Sequence, residues 1–157
     1  MITKRAHKQA ALNIKYLYLK HLRVFEFQIK GTEVFTLFEK LNIEQQTEII
    51  ERINFNTHEI PVLLLTVKAG IYIVNTSERF IKITSKTIES IYYKEFEAMI
   101  FYQSIDNEIK KLPPIKLVDI GLKKKDGDMT FLKIPAGKFL HFWDVVRQLN
   151  MISIAEE

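Results

Sequence analysis

The sequence predicts an α+β fold: an antiparallel β-barrel or sandwich with a C-terminal amphipathic helix, preceded by a helical N-terminal extension. Three stretches predict it. In residues 61–75 (PVLLLTVKAGIYIVN), two runs rich in β-branched and aromatic residues flank Lys68-Ala69-Gly70. That break is just long enough to reverse the chain, which favours a hairpin over a helix. Asp126-Gly127 stands between two further alternating runs, a strong short-range hairpin signal. Residues 138–151 put Phe139, Phe142, Trp143, Val146 and Leu149 on one stripe, with His141, Asp144, Arg147 and Gln148 outside it, the pattern of an amphipathic helix.

Taken in order, residues 4–22 fit a helix, because Ala6, Ala10, Ile14 and Leu17 recur at helical spacing. The alternation from Ile14 to Tyr18 leaves a strand as the alternative. Leu12 and Leu19 lie off the stripe, near basic residues, and a helix with apolar residues on two sides usually contacts two things. Residues 24–29 alternate as a strand ended by Lys30-Gly31. Thr32 then offers an N-cap, with Glu33 in the first turn, to an amphipathic helix carrying Val34, Phe35, Leu37, Phe38 and Leu41. Asn42 caps a second run, 44–53, whose apolar positions are Ile49, Ile50 and Ile53; the two runs read equally well as one bent helix. The polar connector 54–59 separates a helical extension, residues 1–55, from a barrel domain, residues 56–157. After the opening hairpin, strands are expected at 79–84, 88–96 and 99–104. Asp106-Asn107-Glu108 makes a polar loop, and Pro113-Pro114 forbids a regular strand locally. Residues 116–125 and 129–134 form the last hairpin, ended by Pro135.

The 157 residues fit one domain, which at this length buries roughly 70% of its unfolded surface and needs no staple. There is no cysteine, which excludes disulfides, thiolate zinc sites and cysteine nucleophiles and fits a reducing compartment. The first residues are basic, but lysines interrupt every apolar run, so the expectation is a soluble, cytoplasmic protein. The net charge of +4 is uneven. Residues 1–30 hold seven Lys/Arg against one Glu, and residues 31–60 hold two against six Glu. Residues 4–22 are therefore expected to dock on 32–53 or on a partner subunit.

Short meandering strands followed by one amphipathic helix resemble a pleckstrin-homology-like barrel of the bacterial PH-like kind, over residues 56–152. The most specific segments are LLLTVKAGIYIVN and FLKIPAGKFLHFWDVVRQL. The resemblance implies that the last helix plugs an open corner of the barrel, with Trp143 where eukaryotic members commonly carry a Trp. Two features depart from the family. Members that bind phosphoinositides gather several Lys/Arg around the first hairpin loop, where this chain has Lys68 alone, and the first fifty residues match nothing in the family pattern. Such barrels serve lipid-binding, peptide-binding and structural roles, so the fold alone does not set the function.

No chemistry-bearing motif adds an activity. His7, His21, His58 and His141 are dispersed without ligand spacing, so no metal site is expected. GxSxG, Walker-type and GxGxxG patterns are missing, and neither a cofactor nor an enzymatic activity is expected. Asp126 and Asp128 read as turn residues, and Lys123-Lys124-Lys125 as a solvated hairpin tip with Lys123 and Lys125 on one side. Tyr92, Tyr93, Phe96, Phe101 and Tyr102 read as core and rim packing rather than a base-stacking platform. Nucleic acid is not the expected partner, despite a pI near 9.2, because no interleaved run of Arg and aromatics appears. The expected function is a non-catalytic binding or interaction module whose partner is another protein or a second copy of the chain. The alternative is peripheral attachment to anionic membranes through Lys4, Arg5, Lys8, Lys15, Lys123 and Lys125.

Overall fold

The computed structural model describes residues 2–17, 19, 35–68, 70–101 and 117–135. Its elements are α1 (Lys4–Leu17), β1 (Phe35–Leu37), α2 (Ile43–Arg52), β2 (Pro61–Lys68), β3 (Ile71–Thr76), β4 (Arg79–Ile83), β5 (Ile88–Tyr92), β6 (Phe96–Phe101), β7 (Leu117–Lys124) and β8 (Met129–Pro135). Single 3₁₀ turns, Phe38–Lys40 and Tyr93–Glu95, follow β1 and β5. The strands form two antiparallel sheets, ordered β1-β2-β3-β4-β5 and β6-β7-β8. The α+β class and the antiparallel meander are as expected.

Both hairpins form where turn chemistry placed them. β2 and β3 pair from Pro61↔Thr76 to Lys68↔Ile71, and Gly70 takes the positive φ of 80° that the reversal needs. β7 and β8 pair as far as Lys123↔Met129. There Gly127 has φ 95°, and its N–H donates to the Lys124 carbonyl at 3.0 Å. Asp126 accepts from the Asp128 N–H at 2.9 Å, so its carboxylate serves the turn.

Three expectations are corrected. The expected amphipathic helix does not form over residues 35–41: Phe35–Leu37 is a strand in register with Leu65, Leu64 and Leu63 of β2, followed by a 3₁₀ turn. A five-residue apolar cluster is ambiguous between helix and strand, and the open edge of β2 supplies the ladder partners that decide it. Among the described residues the barrel does not close either; their strands form two sheets. The expected strand 88–96 is interrupted by the 3₁₀ turn Tyr93–Glu95, which carries the chain from one sheet into the other. Tyr93 anchors that turn, packing edge-on against Phe80 with centroids 5.0 Å apart, and its N–H donates to the Glu78 carbonyl. The expected strand 24–29, the Thr32 cap, the Asp106-Asn107-Glu108 loop, Pro113-Pro114, Tyr102 and the helix 138–151 with Trp143 lie outside the described residues.

α2 forms as expected. Asn42 is its N-cap, the side chain accepting from the Gln45 N–H at 2.8 Å, and the Gln46 amide covers the carbonyls of Phe38 and Leu41. Its inner face, Ile49 and Ile53, meets Phe38 and a row across the sheet: Leu64 on β2, Val74 on β3, and Ile81 and Ile83 on β4. Leu64 pairs with Val74 and Val74 with Ile81, so one continuous ridge runs beneath the helix. Arg52 closes the contact, donating to the Thr84 carbonyl. Ile81 has no exposed surface, whereas Ile50 is 46% exposed. Ile81→Ala should therefore cost about 2–5 kcal/mol, and Ile50→Ala in the monomer no more than about 0.5 kcal/mol, as read from denaturant melts at low protein concentration.

Candidate interaction groove and the polar network behind it

α1 starts at Thr3, whose hydroxyl accepts from the Ala6 N–H at 3.1 Å while its carbonyl accepts from the His7 N–H. This is an N-cap. The helix buries His7, Ala10 and Ile14, which share one face at steps of three and four. His7 belongs to that face through a hydrogen bond between its Nδ1 and Ser77 Oγ at 2.6 Å. Ser77 Oγ also accepts from the Ile60 N–H at 3.0 Å, so one hydroxyl serves both contacts when it donates its own hydrogen to the imidazole Nδ1. Both side chains are sealed from solvent, and the pair acts as a joint holding the helix to the β3–β4 turn. Lys15 forms a second tie through an ion pair with Glu39. The hydrogen bond from Lys15 lowers the Glu39 pKa below its ordinary value, desolvation opposes it, and the charges of Lys15 and Lys40 add to it.

Between α1 and the first two strands lies an open groove of about 290 Å³, lined by Lys8, Ala11, Leu12, Lys15, Leu37, Glu39, Ile60, Pro61 and Val62. Its walls are mostly apolar. Lys15 and Glu39 satisfy each other, which leaves Lys8 as the uncompensated charge. Lys4, Arg5 and Lys8 are exposed, and none has an ion pair among the described residues. Beside them Leu12 and Tyr16 are 60% and 61% exposed. Four of the six residues expected to meet an anionic surface, Lys4, Arg5, Lys8 and Lys15, thus share one helix.

The other two sit apart. Lys123 is committed to Glu97 at 3.2 Å, its neighbour Lys124 lies 3.9 Å from Glu95, and Lys125 is exposed in the turn. The acids that balance the lysine run come from the chain entering and forming β6 rather than from Asp126 and Asp128. Tyr93 and Phe96 are buried and Tyr92 is half-buried, with the Arg79 guanidinium 5.5 Å from the Tyr92 ring centre. Of the histidines, His58 is exposed with φ 67°, and His21 and His141 lie outside the described residues. No group of three or more His, Asp or Glu side chains is placed to hold a metal among the described residues. No described helix is long and apolar enough to cross a membrane.

Behind the groove is a buried polar network that sequence reasoning did not find. Glu59, its side chain fully buried, accepts from Arg79 Nε at 2.8 Å and Nη2 at 3.0 Å. It also accepts from the Thr76 hydroxyl at 2.6 Å and the Asn56 N–H at 2.8 Å. Arg79 further donates to the Asn54 carbonyl and to Ser90 Oγ. The guanidinium pKa is raised: desolvation is the largest single influence and lowers it, but the Glu59 hydrogen bond and charge, with Tyr92 and Glu78, outweigh it. Tyr93 donates to the Thr76 carbonyl at 2.6 Å. Burial chiefly pushes its pKa well above the ordinary value of 10.0, the nearby Asn75 amide pulls the other way, and the Glu59 and Glu78 carboxylates reinforce the rise.

No known protein family matches the chain, and comparison with curated proteins and with solved structures finds no match either.

The network makes two tests available. Arg79→Met leaves the Glu59 carboxylate buried without its cation and should cost about 3–5 kcal/mol. Lys123→Met, breaking a surface pair, should cost no more than about 1 kcal/mol; urea melts of both variants compare the two environments. Tyr93 gives a pH signature. Its pKa is raised on folding, so above pH 10.0 the unfolded chain loses the proton first and stability falls as pH rises. The slope approaches about 1.4 kcal/mol per pH unit for one proton, and Tyr93→Phe should remove it from the alkaline limb of the stability–pH curve.

Proposed function

We propose that the chain is a non-catalytic interaction module, and that the outer face of α1 with its adjoining groove holds an acidic, amphipathic protein segment. The observation that carries this reading is the make-up of one helix face: three cations without ion pairs among the described residues, next to an exposed leucine and tyrosine, at the rim of an apolar groove. Stability gives no reason for that arrangement. Lys4 and Arg5 occupy the first turn of α1, which holds no acid. There the helix dipole disfavours cations, typically by about 0.3–1 kcal/mol each at an exposed site. A carboxylate brought by a partner meets both the dipole and the side chains, while leucine-sized side chains fill the groove.

A flat anionic bilayer fits these features less well. Lys4, Arg5 and Lys8 would each give about 1 kcal/mol at such a surface, too little for stable attachment. Lys123 is already paired, and a concave groove gives a planar surface nothing to fill. We further propose a pleckstrin-homology-like relationship for the strand-rich part. The antiparallel meander in two sheets and the amphipathic pattern of residues 138–151 after the last strand support it.

Selection of a displayed library of helical peptides against the full chain should enrich sequences that set Asp or Glu beside Leu, Ile or Phe at helical spacing. The enriched peptide should shift the amide resonances of Lys8, Leu12 and Val62, and Lys8→Glu should weaken it about tenfold, the effect of roughly 1.4 kcal/mol. A footprint elsewhere, or no enriched peptide, rejects the reading. Co-sedimentation with phosphatidylserine vesicles at low salt that Leu12→Asp abolishes would replace it with the membrane alternative.

A further inference from the structure

We infer that the segment taken by α1 is α2 of a second copy of this chain. The inference rests on the reading just proposed and names its partner. The outer face of α2 carries what the outer face of α1 asks for. Ile43 and Ile50 are 73% and 46% exposed, and their spacing of seven puts them on one stripe. Glu44, Glu48 and Glu51, all exposed, follow one another at steps of four and three and form a second stripe alongside. α1 holds four cations and no acid, whereas α2 holds three glutamates and one arginine. That arginine, Arg52, is turned to the Thr84 carbonyl, which leaves the outer face of α2 acidic and apolar.

Among the described residues the complementarity is not used within the chain. The tie from α1 to an acid among the described residues is Lys15 to Glu39, on the 3₁₀ turn; Glu44, Glu48 and Glu51 make no ion pair there. The lengths are also compatible, since fourteen residues of α1 span about 21 Å and ten of α2 about 15 Å. One helix-on-helix contact is small beside the roughly 1,200–2,000 Å² of a stable interface. A two-fold arrangement makes the same contact twice, α1 on the partner's helix and the partner's equivalent helix on α2, and closes at the dimer.

Sedimentation equilibrium of the full chain at low and high salt tests the inference. The expected result is a dimer at low salt that weakens as screening increases. Two charge-reversed variants provide the decisive comparison: Lys4→Glu with Lys8→Glu on α1, and Glu48→Lys with Glu51→Lys on α2. All four positions are exposed, and circular dichroism verifies that both variants fold. Each variant alone places like charges across the contact and should dimerise at least about tenfold more weakly. Mixed in equal amounts they should form a heterodimer of near wild-type affinity, because both contacts then join opposite charges.

A chain that stays monomeric at low salt overturns the inference, as does a dimer that neither variant weakens or a mixture that does not recover. If the chain is monomeric while the selected peptides still map to Lys8, Leu12 and Val62, the groove reading stands and only the second copy is excluded. If the peptides fail as well, both fall.

Discussion

The carboxylate of Glu59 is the group on which the arrangement of the N-terminal elements depends. It sits where the connector leaving α2 turns into β2, and its four donors arrive from three places: the Asn56 backbone, the Thr76 hydroxyl at the end of β3, and the guanidinium at the start of β4. Arg79 extends the reach to β5 through Ser90. A buried ion pair of this kind adds little over a well-packed apolar substitute. Its effect is to make one registration of these elements much better than any displaced one, because a shifted strand would strand a charge in the interior.

That fixed point also sets the groove. Ile60, Pro61 and Val62 form one wall and follow Glu59 directly in the chain. Ser77, one residue beyond Thr76, bonds to both Ile60 and His7. The chain of contacts therefore runs from Glu59 through Thr76 and Ser77 to His7, and so from the sheet interior to α1. The polar atoms along it are well satisfied; the Asn75 amide nitrogen is the exception among the described residues, buried without a hydrogen-bond partner. His7 and Lys15 tie α1 near both ends, and the buried Ala10 and Ile14 pack between them.

What the sequence made legible was local. Lys68-Ala69-Gly70 and Asp126-Gly127 specify reversals within a few residues, and Asn42 caps the helix that follows it by accepting from an amide three residues on. The positions that misled were those decided by distant partners. Phe35–Leu37 is a strand because β2 offers it an edge, and no local signal separates that from one turn of helix. Glu59 and Arg79 lie twenty residues apart, and the first sits in a connector that looks like solvated chain. One signal was available: Thr76-Ser77-Glu78 places small hydroxyl residues between two strongly apolar strands, a composition suited to a buried turn that must satisfy its own polar groups. The same holds for His7, which shares helical spacing with Ala10 and Ile14. The basic face of α1 was legible as a pattern, but only the fold shows a groove beside it and an acidic helix left over.

The edges of the larger sheet carry a different consequence. One edge strand, β1, has three residues and covers Leu63 to Leu65 of β2; at the end of β2 beyond Leu37 stands Pro61, which has no N–H to offer. At the other edge β5 has five residues, bounded by the Thr84–Thr87 loop, tied by its own hydrogen bonds, and by the 3₁₀ turn at Tyr93. It also bears the exposed Glu89. An incoming strand would find a short ladder at either described edge strand, and at β5 a charged side chain. Growth by endless sheet extension, the path to insoluble fibrils, is thus blunted at both margins.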